Sequence, residues 1–151
     1  MGNKSRRAAR ELALNVLYQV DVAKLPVDEA LQTAIENTGL EESAAEFATV
    51  LVKGTLSHLR EIDSKVAELS VGWESHRQPA VDRNIMRMAM FEILYLDYIP
   101  PSVTINEAVD LAKKFSAEES GRFINGVLGT LVRQVKPGDE EQGADDVSSD
   151  T

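Results

Sequence analysis

The sequence predicts an all-α protein of about seven helices arranged as two packed helical subdomains, and three observations carry that prediction. No stretch alternates apolar and polar residues with the period of two that a half-buried strand requires. Apolar residues recur instead at i, i+3 and i+4, the stripe of a helix packed on a core. Glycines and prolines fall where such helices have to stop.

The first helix runs from Ser5 to about Val22 and reads SRRAARELALNVLYQVDV. Ala9, Leu12, Ala13, Val16, Leu17 and Val20 share one face and point to the core. Lys24-Leu25-Pro26 breaks the pattern. Val27, Ala30, Leu31, Ala34 and Ile35 then define a short second helix ending near Gly39. A third, about Ser43 to Ser57, buries Phe47, Val50 and Leu51, with Gly54 at a close helix crossing. A glycine costs about 1 kcal/mol against alanine inside a helix, so a packing reason is expected there. Ile62, Val66 and Leu69 continue at helical spacing, either in the same helix or after a kink near His58 to Glu61.

The interval Ser70 to Pro79, SVGWESHRQP, is the main break, with Trp73 expected as a lid on the seam between the two halves. It divides an N-terminal subdomain, residues 1–72, from a three-helix subdomain, residues 73–136. Pro79 suits the first turn of the next helix, which extends to about Asp97. Its Ile85, Met88, Ala89, Ile93 and Leu96 form one stripe, and Met86, Met90, Phe91, Leu94 and Tyr95 add apolar surface almost all round. Such a helix belongs in the centre. After Pro100 and Pro101, Thr104 and Glu107 have the T-x-x-E form of a capping box and start a helix through about Phe115, with Ile105, Ala108, Val109 and Ala112 inward. The last helix, about Ser120 to Val135, turns Ile124, Val127, Leu128, Leu131 and Val135 to the core before Lys136-Pro137-Gly138 stops it.

With 43% hydrophobic residues and no apolar run near the roughly 20 residues needed to span a bilayer, the chain reads as soluble. It shows no secretory signal pattern. Without cysteine it has neither disulfides nor a thiolate metal cage, which suits a cytoplasmic protein. The net charge of −9 is unevenly placed. The tail after Lys136 carries six carboxylates and no base, which leaves only −3 on Met1–Lys136 once those are set aside. Residues 137–151 are expected to be a disordered acidic tail, serving solubility or competing for a basic patch.

Four of the sixteen basic residues stand in the first ten positions, as Lys4, Arg6, Arg7 and Arg10. Arg7, Arg10, Leu14 and Tyr18 fall within a wedge of about 80° when residues step by about 100°. Guanidinium groups make forked contacts to phosphate, and a Tyr ring stacks on an unpaired base. A second cluster closes one helix and opens the next: Lys113, Lys114, Phe115, Arg122 and Phe123 lie within about ten residues. If this corner packs beside the exposed side of the first helix, one groove for RNA results. The plain alternatives are a solvated N-terminal helix and two core phenylalanines.

Enzymatic readings find little. His58 and His76 are isolated, and there is no HExxH spacing, Gly-rich phosphate loop or nucleophile elbow. No acid–base pair is nominated and no cofactor is expected.

Several stretches together resemble the NusB family of bacterial transcription antitermination factors: RRAARELALNVLYQ, FATVLVKG with Ile62-Asp63 beyond it, DRNIMRMAMFEILY and, most specifically, VTINEAVDLAKKFSAEESGRFINGVLGTLV. The similarity covers about residues 4 to 135. It implies an all-α fold of two helical subdomains and a non-catalytic role: binding the boxA element of nascent ribosomal RNA leaders, pairing with the ribosomal protein NusE, and joining other Nus factors on RNA polymerase. It places RNA contacts on Lys4, Arg6, Arg7, Arg10 and Tyr18, and a second cluster on Lys113, Phe115, Arg122, Phe123 and Asn125. Gly121 stands where the family pattern often has a longer polar or basic residue. Two alternatives are the RNA-binding module of a ribosomal RNA methyltransferase and a homodimeric helical scaffold whose dimer covers the arginine face.

Overall fold

The computed structural model describes residues 2–71 and 78–136. The sequence expectations for Trp73 and His76, for the division between residues 72 and 73, and for the tail at 137–151 therefore lie outside the described residues. Among the described residues the chain forms seven helices and no strand. They are α1 (Asn3–Ala23), α2 (Val27–Thr38), α3 (Glu42–Ser57), α4 (Leu59–Leu69), α5 (Ala80–Tyr95), α6 (Pro101–Phe115) and α7 (Glu118–Val135).

The helix with the most buried residues is the central one. α5 packs against α1, α3, α4, α6 and α7. Ile85, Met86, Met88, Ala89, Met90, Phe91 and Ile93 are all buried on it, each large side chain contributing about 1.5–3 kcal/mol by leaving water. α1 packs on α2, α3 and α5, and α6 packs on α5 and α7. Two backbone features shape the elements. Gly39 ends α2 in the left-handed region, φ 65°, where a side chain is strained. Gly54 sits under the Phe91 ring, with which a Cβ at that position would collide, so α3 crosses α5 there as expected.

Some boundaries and faces differ from the sequence reading. The chain breaks at His58, so α3 and α4 are separate helices. Pro79 precedes α5 as its cap residue, outside the first turn. The Thr104–Glu107 capping box is not used, because α6 opens three residues earlier at Pro101, whose missing N–H is one a helix start leaves unpaired anyway. Thr104 and Glu107 are thereby carried into the helix and turned onto neighbours. Val50 and Val135 are exposed, at 43% and 40%: Val50 lies outside the buried arc of α3, and Val135 is the last residue of α7.

Buried polar groups lock the helices in register. Arg10 of α1 and Glu92 of α5 are 2% and 1% exposed and form a two-bond pair, both bonds 2.8 Å. The Thr104 hydroxyl of α6 donates to the same carboxylate at 3.0 Å. Asp21 of α1 accepts from Arg83 at 2.6 Å and Asn84 at 3.0 Å on α5, and Arg87 ties α5 to Asp63 of α4 at 2.7 and 2.9 Å. Ser120 of α7 donates to the buried Asp82 of α5 at 2.6 Å.

Candidate nucleic-acid interface

Burial on α1 leaves only a narrow strip of that helix open. Leu12, Val16, Ala9, Ala13, Leu17, Arg10 and Leu14 are buried and span about 200° of the helical wheel. The strip that remains holds Lys4, Arg7, Glu11, Asn15, Tyr18 and Val22. The expected wedge is thus corrected on one flank: Arg10 and Leu14 face inward with the core. Arg10 is engaged by Glu92, and its guanidinium lies 5.4 Å from the centre of the Phe47 ring. At 2% exposure, with Nε and Nη2 both bonded to Glu92, Arg10 is not presented to a ligand at the surface. Arg6 leaves the strip on the same side. Its guanidinium sits 5.6 Å from the centre of the Phe47 ring and 5.9 Å from that of Tyr98, with Nε buried and unbonded among the described residues.

Arg7 stays on the open strip and meets α6. Its Nε and Nη2 donate to the two oxygens of Glu107 at 3.0 and 3.1 Å, and Nη2 also reaches Asp110 at 3.4 Å. The hydrogen bonds to Glu107 and then its charge outweigh the cost of burial, with the charges of Asp110 and Glu11 adding less, and hold the guanidinium above its ordinary pKa, so it remains cationic. One turn on, Glu11 accepts from Lys114 at 2.6 Å, and the Lys114 ammonium also lies 5.3 Å from the centre of the Phe115 ring. These two ion pairs join α6 to α1 through side chains.

The corner between α6 and α7 and the first helix therefore do meet. A groove of about 600 Å³ opens between them. Its cations are Arg7, Lys113 and Arg122, and Asn3, Asn106 and Asn125 supply amides. Its carboxylates are Glu107, Asp110 and Glu118, with Val103, Val109 and Gly121 on the floor and walls. Lys4 is exposed outside the groove lining. Of the three aromatics singled out in the sequence, Tyr18 and Phe115 are 38% and 46% exposed, whereas Phe123 is half-buried against the core. Seven residues separate Glu11 from Tyr18, so Tyr18 lies about 10 Å farther along the strip from the Glu11–Lys114 contact.

Of the ten residues singled out in the sequence, Arg7, Lys113, Arg122 and Asn125 share the groove, Tyr18 and Phe115 are exposed outside its lining, and Arg10 does not belong to the surface. Sequence reasoning misses the acidic lining. Glu107, Asp110 and Lys114 recur at spacings of three and four and so share one face of α6, and Glu11 follows Arg7 by four. That signal is present in the chain, but Glu107 reads locally as a cap.

Chemically the site is an open, mixed-charge groove lined by one arginine fork from α1, a lysine and a second arginine from α6 and α7, three amides and three carboxylates. The comparisons with known proteins agree on one family. The pattern of the NusB family matches residues 7–133. The chain is 49% identical over 127 residues to the transcription antitermination protein NusB of Desulforamulus reducens, covering 84% of this chain and 89% of that protein. It is 50% identical to the protein of the same name from Pelotomaculum thermopropionicum, covering 85% and 89%. Among solved structures it superposes on T. maritima NusB with a TM-score of 0.82 at 30% identity, covering 91% of this chain and 96% of that one. It also superposes on a chain of the antitermination factors NusB and NusE in complex with double-stranded RNA, TM-score 0.79 at 30% identity, covering 88% and 99%. The chain belongs to the NusB family.

Proposed function

We propose that this protein is a non-catalytic transcription antitermination factor, which takes a boxA-type segment of a nascent ribosomal RNA leader into the α1–α6–α7 groove together with NusE. It then acts with the other Nus factors on RNA polymerase, in the cytoplasm where the transcript is made. The observation that carries this reading is the meeting of Arg7, Lys113, Arg122 and Asn125 in one groove, contributed by three different helices. Phosphates engage the cations, Asn125 offers an amide to a base edge or sugar, and the exposed rings of Tyr18 and Phe115, outside the groove lining, stack bases of the RNA that extends beyond it. Lys4 adds charge at the entry without a fixed contact, and Phe123 supports the wall from its half-buried position. The relatives bearing the antitermination name, and the NusB–NusE pair solved with RNA, support the same assignment of partners. Residues 1–72 and 73–136 are read as the two subdomains, with the groove formed by α1 of the first and α6 and α7 of the second. Among the described residues no helix is long and apolar enough to cross a membrane.

The test is a titration of boxA RNA and a scrambled control by this chain alone and with its cognate NusE. Preference for boxA that strengthens with NusE supports the reading. Equal binding of both RNAs, unchanged by NusE, contradicts it.

A further inference from the structure

The two carboxylates on Arg7 are not equivalent. Glu107 takes the Nε–Nη2 edge with two bonds and its side chain is only 11% exposed, whereas Asp110 makes one 3.4 Å contact to Nη2 and is 53% exposed. A two-bond, shielded pair fixes the plane of a guanidinium. A single long contact from an exposed carboxylate holds weakly and exchanges readily. Arg7 itself remains 57% exposed toward solvent. Phosphate and carboxylate present the same spaced oxygens to an arginine fork, so each can take the other's place. Both acids line the groove alongside Lys113 and Arg122.

We propose that Asp110 is a built-in competitor for the phosphate that Arg7 receives, while Glu107 positions the guanidinium and stays bound to it. The inference rests on the RNA reading of the groove and deepens it. An incoming phosphate displaces Asp110 from Nη2, and the freed, exposed carboxylate then draws a cation from solution. That uptake offsets one of the counterions the RNA releases, so the groove binds more weakly, and with a shallower salt dependence, than its cations alone dictate. Asp110 thereby sets a threshold that a polyanion must exceed before it occupies the groove.

The experiment measures affinity for boxA RNA at several salt concentrations for wild type, Asp110→Asn, Arg7→Ala and the double variant, with the fold checked by thermal melting. Asp28→Asn, an exposed acid on α2 paired with Lys53, serves as an equal-charge control. Asp110→Asn is expected to tighten binding about two- to fivefold, the size of an exposed ion pair, and to steepen the log–log salt slope by up to about one unit. The gain is expected to vanish in the Arg7→Ala background and to be absent in Asp28→Asn. No gain in Asp110→Asn, or a gain that persists without Arg7, overturns the inference. Arg122→Ala separates the two levels: if it weakens wild-type binding while Asp110→Asn changes nothing, the groove reading stands and the competitor role fails. If wild type binds no RNA at all, both fall together.

Discussion

At the scale of single residues, two arginines three positions apart on α1 have opposite roles. Arg10 lies in the core against Glu92, and removing it leaves a buried carboxylate without its partner. Arg10→Ala is expected to cost about 3–5 kcal/mol of stability, read from the midpoint of urea unfolding, with any weakening of RNA binding following from loss of fold. Arg7→Ala removes a more exposed side chain but leaves the shielded Glu107 without its two-bond partner, and is expected to lower the unfolding midpoint by less than Arg10→Ala does. In the RNA titration it weakens affinity and lowers the salt slope by close to one unit for each phosphate the side chain had engaged. Tyr18→Ala is expected to cost about 1–3 kcal/mol of RNA affinity, since a base then has no ring to stack on. A reduction no larger than the neighbouring exposed Asn15→Ala produces would assign the ring to packing alone.

At the scale of elements, the crossings decide what the sequence can tolerate. Gly54→Ala gains about 1 kcal/mol of helix propensity yet places a methyl group into the Phe91 ring where α3 crosses α5. Net destabilisation of about 1–3 kcal/mol is expected from the overpacking, measured by thermal or urea unfolding. The Asp21 junction between α1 and α5 gives the fold a pH signature. Burial works to raise that carboxyl, but the hydrogen bonds from Arg83 and Asn84 and the charges of Arg87 and Arg83 outweigh it, holding it below the ordinary carboxylate range. Its folded pKa lies below its unfolded value, so the junction stabilises the fold above about pH 4 and loses that contribution as pH falls through the folded value. The stability gap between wild type and Asp21→Asn is therefore expected to be widest near neutrality and to close in acid. The helices themselves are legible in the sequence because stripe spacing and Pro/Gly stops are local. The buried face of α1 is legible only in part: a wheel ranks directions by hydropathy, and Arg10 is polar yet points inward because Glu92, eighty-two positions later, waits there. Glu107 misleads for the same reason, since its partner Arg7 is a hundred positions away.

For the whole molecule, the proposed RNA site requires a chain of net charge −9 to gather cations in one place. The fold meets that requirement by bringing three cations from α1, α6 and α7 to one groove, and by balancing them with carboxylates that are themselves part of the lining. The sequence shows two basic clusters and leaves open whether they meet; the ion pairs Arg7–Glu107 and Glu11–Lys114 between α1 and α6, and the groove they border, show that they do. The most direct measurement of RNA binding in this groove is to map the RNA on the protein by following backbone amide shifts while boxA RNA is added. The largest changes are expected on Arg7 and its strip of α1, on Lys113 and Phe115, and on Arg122 and Asn125, with α2 and α4 quiet. Changes centred on α2 and α4, with those residues unmoved, would contradict it.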